Sequence, residues 1–141
     1  MNKKDRISQI HEKLVVLGGY VELLRGFGKV TAGDLIKDDI KRGAIERFMQ
    51  LSAEVVLDVA GQLIAEYRFR TPEDYKDSLL ILGEEGVLTK KFAGEFSSIA
   101  GFRNILVHDY LKIDYEKVVD KLNNQLGDFA KFAQSVAKYL Q

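Results

Sequence analysis

Cysteine is absent from the 141 residues, proline occurs once, at Pro72, and only two histidines are present. Without cysteine, neither disulfides nor thiolate metal sites can form. Two histidines also leave a dedicated zinc centre short of ligands, since such sites draw three or four from His, Cys and carboxylates. An excess of charge of either sign is missing too: 21 Lys and Arg stand against 21 Asp and Glu, for a formal net charge of zero. Proteins that coat nucleic acid through many phosphate contacts carry a basic excess, so this balance argues against a bulk binder while leaving room for a small local basic site. No run approaches the roughly 18 to 20 apolar residues needed to span a bilayer. The first residues, MNKKDRISQIHEKL, turn amphipathic after a basic start and lack the apolar stretch of a signal peptide. A soluble, cytoplasmic chain with no membrane segment is expected.

What the chain does contain is helical periodicity. Its length suits one domain with one substantial core. From about Lys3 to Arg25 the apolar residues Ile7, Ile10, Leu14, Leu17, Val21 and Leu24 recur at three-and-four spacing, with a weak point at Gly18-Gly19. GFGKVTAG breaks this helix; Thr31 then caps a short turn through Ile36, and Asp38 or Asp39 caps a long second helix running to about Phe69. The second helix is apolar on two faces: Ile45, Phe48, Ser52, Val55 and Val59 form one stripe, and Met49, Val56, Ala60, Leu63 and Ile64 another. Two such faces require two partners, supplied either by a central position in a bundle or by a second subunit. A third helix starts near Tyr75 and is ended by Gly83 and Gly86. Thr89 caps a fourth, from about Lys90 to Val107, and Asp114 a fifth, with Val118, Leu122, Leu126, Phe129, Ala133, Val136 and Leu140 on one face. The expected fold is all-α, a single-domain antiparallel up-and-down bundle of four to five helices over residues 1–141.

Chemistry concentrates in GFRNILVHDYLKID, residues 101–114. The stripe Phe92, Phe96, Ile99 and Leu106 puts Arg103 in a slot where the period asks for an apolar residue. An unpaired buried guanidinium costs about 3–5 kcal/mol, so Arg103 must pair with a carboxylate such as Glu54 or Asp58, sit in a groove, or hold an anion. Its planar fork and permanent charge suit phosphate. On an unbroken helix Arg103 and His108 would lie about 140° apart and about 7.5 Å along the axis. Joint use then needs either a helix end between them or a dimer axis that brings two of each together. The structural alternative is an Arg103 ion pair with His108 and Tyr110 merely finishing a helix, where the dipole favours histidine. Asn104 either orients a phosphate or hydrogen-bonds within the helix. Asp109 pairs with Arg103 or His108 or is solvated. His11 lies among charged residues of helix one and is read as structural or solvent-facing, and Lys90, Lys91 and Lys112 either add phosphate contacts near the site or are ordinary surface lysines.

The run Arg103, Asn104, four residues on to His108, then Tyr110 resembles the motif of the HEPN superfamily of small helical ribonucleases, and of its HepT-like branch in particular. AIERFMQLSAEVVLDVAGQLIAEY in helix two is similar to that branch as well. The resemblance implies a homodimeric, metal-independent endoribonuclease toxin of a type VII-like toxin–antitoxin system, with no cofactor. It implies Arg103 and His108 as catalytic residues, Asn104 as a substrate-binding one, and an MntA-like nucleotidyltransferase antitoxin as partner, which silences the toxin by transferring AMP to Tyr110. On this view Arg103 holds the charge that develops on phosphorus, and the dimer supplies one His108 as base and one as acid. A competing expectation is a non-catalytic, nucleotide-binding partner subunit of a minimal nucleotidyltransferase. A third is a degenerate dimeric bundle with no site.

Overall fold

The computed structural model describes residues 1–141 and contains helices α1 (Lys3–Arg25), α2 (Ala32–Lys37), α3 (Asp39–Glu66), α4 (Tyr75–Glu84), α5 (Lys90–Phe96), α6 (Ile99–His108), α7 (Tyr115–Asn124) and α8 (Leu126–Tyr139), with a 3-10 turn at Tyr110–Lys112. Most starts are local hydrogen bonds legible in the sequence. Thr31 and Asp34 form a reciprocal capping box, Asp38 accepts from the Lys41 amide, Thr89 from Phe92 and Asp114 from Glu116.

The helices number eight rather than four or five because the short turn expected after Thr31 is itself a helix, α2, and two of the expected long ones break. Between α5 and α6, the Ser97 and Ser98 hydroxyls donate to the carbonyl oxygens of Gly94 and Glu95, and the turn tightens as the Ala100 amide bonds back to Ser97. Between α7 and α8, Gln125 leaves helical geometry at φ −123°, ψ 6°, while Asp120 accepts from both the Asn124 and Gln125 side-chain amides. The second break brings Phe132, fully buried, into the core and leaves Ala133 beside it. α3 also stops short of Phe69: the Phe69 amide reaches back to Ile64 and the Arg68 amide to Ala65, with Arg68 left-handed at φ 55°. The same arrangement ends α4, where Gly86 takes φ 77° and the Val87 amide bonds the Leu82 carbonyl. Gly83 does not end α4 but lies within it, and α1 runs unbroken through Gly18-Gly19.

α3 is the central element, packed by α1, α2, α4, α6 and α8. Ile45, Met49, Ser52, Ala53, Val56, Leu57, Val59, Ala60, Leu63 and Ile64 are all buried, so a central position accounts for nearly all of both apolar stripes. α3 is long and apolar enough on average to cross a membrane, although Gln50, Glu54, Asp58 and Gln62 interrupt it and no unbroken apolar run of that length occurs. Here it serves as the axis of the bundle. Its one open strip, from Leu51 to Gln62, faces a groove.

Two glycines make opposite predictions. At the exposed Gly18 a Cβ would meet nothing within 4 Å, whereas at Gly83 it would stand 2.6 Å from the Ala93 Cβ, where α4 and α5 approach. Gly18→Ala is expected to raise unfolding stability by about 1 kcal/mol and Gly83→Ala to lower it by about 1–3 kcal/mol. Denaturant unfolding of both variants, at unchanged m, checks the pair.

Candidate functional site

A groove of about 600 Å³ runs between α1, α3, α4 and α6. Its lining includes Tyr20 from α1, Glu54, Val55 and Asp58 from α3, Tyr75 from α4 and Arg103 from α6. The Ser97–Ser98 turn decides how Arg103 enters it. After that turn Phe102 is buried in the core, with Ile99 and Ala100, and Arg103 lies at the core margin with 21% of its side chain exposed. Arg103 therefore occupies a groove wall rather than the core slot expected from the stripe.

Its guanidinium is only partly engaged. Nη2 donates to Glu54 Oε1 at 3.3 Å, Nη1 donates to Asn104 Oδ1 at 3.2 Å, and the buried Nε has no partner. Strong Arg–carboxylate pairs are bidentate at about 2.7–2.9 Å, so this single longer contact is a weak one, and each terminal nitrogen keeps an N–H for another acceptor. Glu54 is shared, since Gln50 Nε2 also donates to its Oε1 at 3.1 Å. The neighbouring acid, Asp58, is paired with Lys13 at 2.6 Å. Glu54 is thus the partner that the Arg103 slot demands, and Asp58 is not. Asn104 makes the within-helix hydrogen bond of its two expected roles, and that bond steadies Arg103.

α6 runs without interruption through Arg103 to His108, its last residue, and Asp109 closes it with its amide bonded to the Ile105 carbonyl. No helix end separates Arg103 from His108, so the two point about 140° apart within one chain. His108 is exposed at the helix end, and Asp109, also exposed, forms no ion pair with it or with Arg103. Tyr110, 68% exposed, opens the 3-10 turn, followed by Leu111 at 88%. His11, Lys90, Lys91 and Lys112 are exposed on α1, α5 and the 3-10 turn. No group of three or more His, Cys, Asp or Glu side chains is gathered where it would hold a metal ion.

Tyr75 was not singled out by the sequence, beyond marking a helix start. Its ring lies 5.9 Å from the Arg103 guanidinium, within cation–π range, and remains 55% exposed. The start of α4 that carries it is clamped by charge. Asp74 caps the Asp77 amide at 2.7 Å, and Arg70 donates to both Asp77 oxygens, at 2.7 and 2.8 Å, and to Glu84 at 2.9 and 3.0 Å. An aromatic at the first position of a capped helix is the only signal of Tyr75 in the sequence.

The eight helices, with α3 at their centre, define an all-α helical-bundle domain. The chain belongs to the ribonuclease HepT-like family, whose model matches residues 17–136. It is similar to the tRNA nuclease HepT of Aphanizomenon flos-aquae, 23% identical over 131 residues, which cover 93% of this chain and 89% of that one. It is also similar to the mRNA nuclease HepT of Shewanella oneidensis, 27% identical over 84 residues, 60% of this chain and 63% of that protein. Among solved structures, the tri-AMPylated Shewanella oneidensis HEPN toxin in complex with MNT antitoxin superposes with TM-score 0.78 at 21% identity, covering 98% of this chain and 99% of that one.

The Arg70 clamp predicts an acid limb of stability. The hydrogen bonds from Arg70 hold the Asp77 carboxyl down at about 2 and keep Glu84 below its usual range. A carboxyl depressed in the folded chain stabilises it above the unfolded pKa, about 3.9 for Asp, and that contribution disappears as pH falls toward the folded value. Stability should therefore decline between about pH 4 and 2. Urea unfolding over this range should show a shallower decline in Arg70→Gln.

Proposed function

We propose that this chain is the ribonuclease toxin of a toxin–antitoxin pair. It cuts RNA without a metal at a composite site that a homodimer builds from Arg103 and His108, and it is silenced when an MntA-like nucleotidyltransferase transfers AMP to Tyr110. The observation that carries this reading is the uninterrupted α6. Arg103 turns toward the groove and His108 stands exposed at the helix end, so one chain lacks a base and an acid flanking its own arginine. A second copy supplies the missing histidine, which is the simplest completion of a site with one usable imidazole per chain.

The chemistry then needs no further group. One His108, neutral, takes the proton from the 2′-hydroxyl as that oxygen attacks phosphorus. The other, protonated, gives its proton to the departing 5′-oxygen as the P–O5′ bond breaks. Arg103 stabilises the charge on the non-bridging oxygens, most strongly when the phosphorus is five-coordinate. The products are a 2′,3′-cyclic phosphate and a free 5′-hydroxyl. A phosphate entering the site competes with Glu54 for Arg103, and the single 3.3 Å contact makes that displacement inexpensive. Asn104 holds the arginine from the other side and adds a polar group toward the substrate.

RNA as substrate is supported by family membership and by two relatives named as nucleases of tRNA and of mRNA. Because those two differ in target, RNA is the appropriate level of description here. The antitoxin and the modification are supported by the AMPylated toxin bound to MNT antitoxin and by the exposure of Tyr110. A nucleotide on Tyr110, two residues beyond His108, brings negative charge and bulk to where a substrate phosphate would settle.

Purified protein in EDTA is expected to cleave RNA to cyclic-phosphate ends. Arg103→Ala and His108→Ala should each lose activity by a factor of about 10²–10⁴. Equal inactivity of all three proteins, with wild type shown by mass to be unmodified, would replace this reading with that of a nucleotide-binding partner subunit. Incubation with ATP and the nucleotidyltransferase should add AMP to wild type and stop cleavage. Tyr110→Phe should stay active under the same treatment, and its inhibition would remove Tyr110 from the mechanism.

A further inference from the structure

We propose that Tyr75 is the base-stacking residue of the groove, holding the base next to the phosphate that Arg103 binds. This rests on the ribonuclease reading above and deepens it, by adding a substrate-binding residue that the motif does not contain. A large aromatic gains from burial, and the next turn of α4 is buried at Ser78 and Leu79, yet Tyr75 is left 55% exposed on the groove wall. The Arg103 guanidinium lies 5.9 Å from the ring centroid, and each of its two terminal nitrogens makes only one contact, at 3.2 and 3.3 Å. The groove thus offers an open π-face and a partly engaged cation side by side, the two elements with which a single strand is held irrespective of sequence.

The other aromatic of the lining, Tyr20, is already stacked on Phe48 with ring centroids 6.2 Å apart. The backbone that carries Tyr75 is held in place, because Arg70, Asp74 and Asp77 clamp the start of α4 and the Ser78 hydroxyl donates to the Tyr75 carbonyl at 2.6 Å. A ring carried on an ordered helix loses less entropy when a base stacks on it than one carried on a mobile loop. The charge balance points the same way. With a formal net charge of zero, this chain has little basic excess to spend on phosphates, so stacking must supply affinity that electrostatics elsewhere provides.

The absence of tryptophan from the chain provides the test. Tyr75→Trp keeps a stacking ring and introduces a unique fluorophore. A 2′-O-methyl oligoribonucleotide, which lacks the attacking hydroxyl and stays uncut, is expected to quench the introduced indole, whereas an abasic 2′-O-methyl strand of equal length is not. On cleavable RNA, Tyr75→Phe and Tyr75→Trp should keep KM within about twofold of wild type, while Tyr75→Ala raises it about tenfold at nearly unchanged kcat. Indole emission that ignores an oligonucleotide seen by anisotropy to bind, or a Tyr75→Ala KM equal to wild type, overturns the assignment while leaving the ribonuclease reading intact. Emission that follows protein concentration rather than oligonucleotide would mean that a second copy covers the ring, and also overturns it. Failure of wild type itself to bind either RNA would remove both this inference and the reading beneath it.

Discussion

Burial of α3 along almost its whole length is the constraint on which the rest depends. Ile45, Ala53, Val56, Val59, Ala60 and Leu63 have no exposed surface, and the helices that pack on them from several sides fix the directions in which everything else can point. Fully burying one medium-sized apolar side chain is worth about 1.5–3 kcal/mol, so a shift of α1, α4 or α6 across α3 would expose several such residues at once. The groove is what remains where those three helices fail to close over the strip from Leu51 to Gln62. Its walls are therefore set by helices that the core holds in register.

Arg103 inherits that placement and adds a tension of its own. It stands one residue after the buried Phe102, close enough to the core to need a partner and close enough to solvent to accept a different one. Glu54 meets the first need at 3.3 Å, and the remaining N–H of each terminal nitrogen leaves the second open. A tight bidentate pair would be a better structural element and a poorer anion site. Arg70 illustrates the contrast: it grips Asp77 and Glu84 through four short hydrogen bonds and is fully committed to holding α4. Two arginines in one small domain thus differ in role because one has its donors saturated by carboxylates and the other does not.

Much of the local structure was legible in the residues. Thr31, Asp38, Thr89 and Asp114 start helices because each side chain bonds an amide two or three positions ahead, an interaction that depends on sequence alone. The interruptions were less visible. Ser97-Ser98 and Gln125 are compatible with a continuing helix, so no residue type announced either break. Arg68 closes α3 in a conformation usually reserved for glycine, so no residue type marked that end. The expected slot of Arg103 was one position out for the same reason: a period counted along an unbroken helix goes out of phase when a turn intervenes.

The sequence by itself determined the helical class, the caps, the single core and the motif from Arg103 to Tyr110, since all of these follow from side-chain type and spacing along one chain. Only the tertiary structure decided that Glu54 rather than Asp58 meets Arg103, that Arg103 and His108 stay on one unbroken helix facing different ways, and that Tyr75 stands beside the guanidinium. The contacts of Arg103 with Glu54 and Tyr75 are distances between segments far apart in sequence. Such distances are set by how α1, α4 and α6 seat on α3, which local periodicity does not encode.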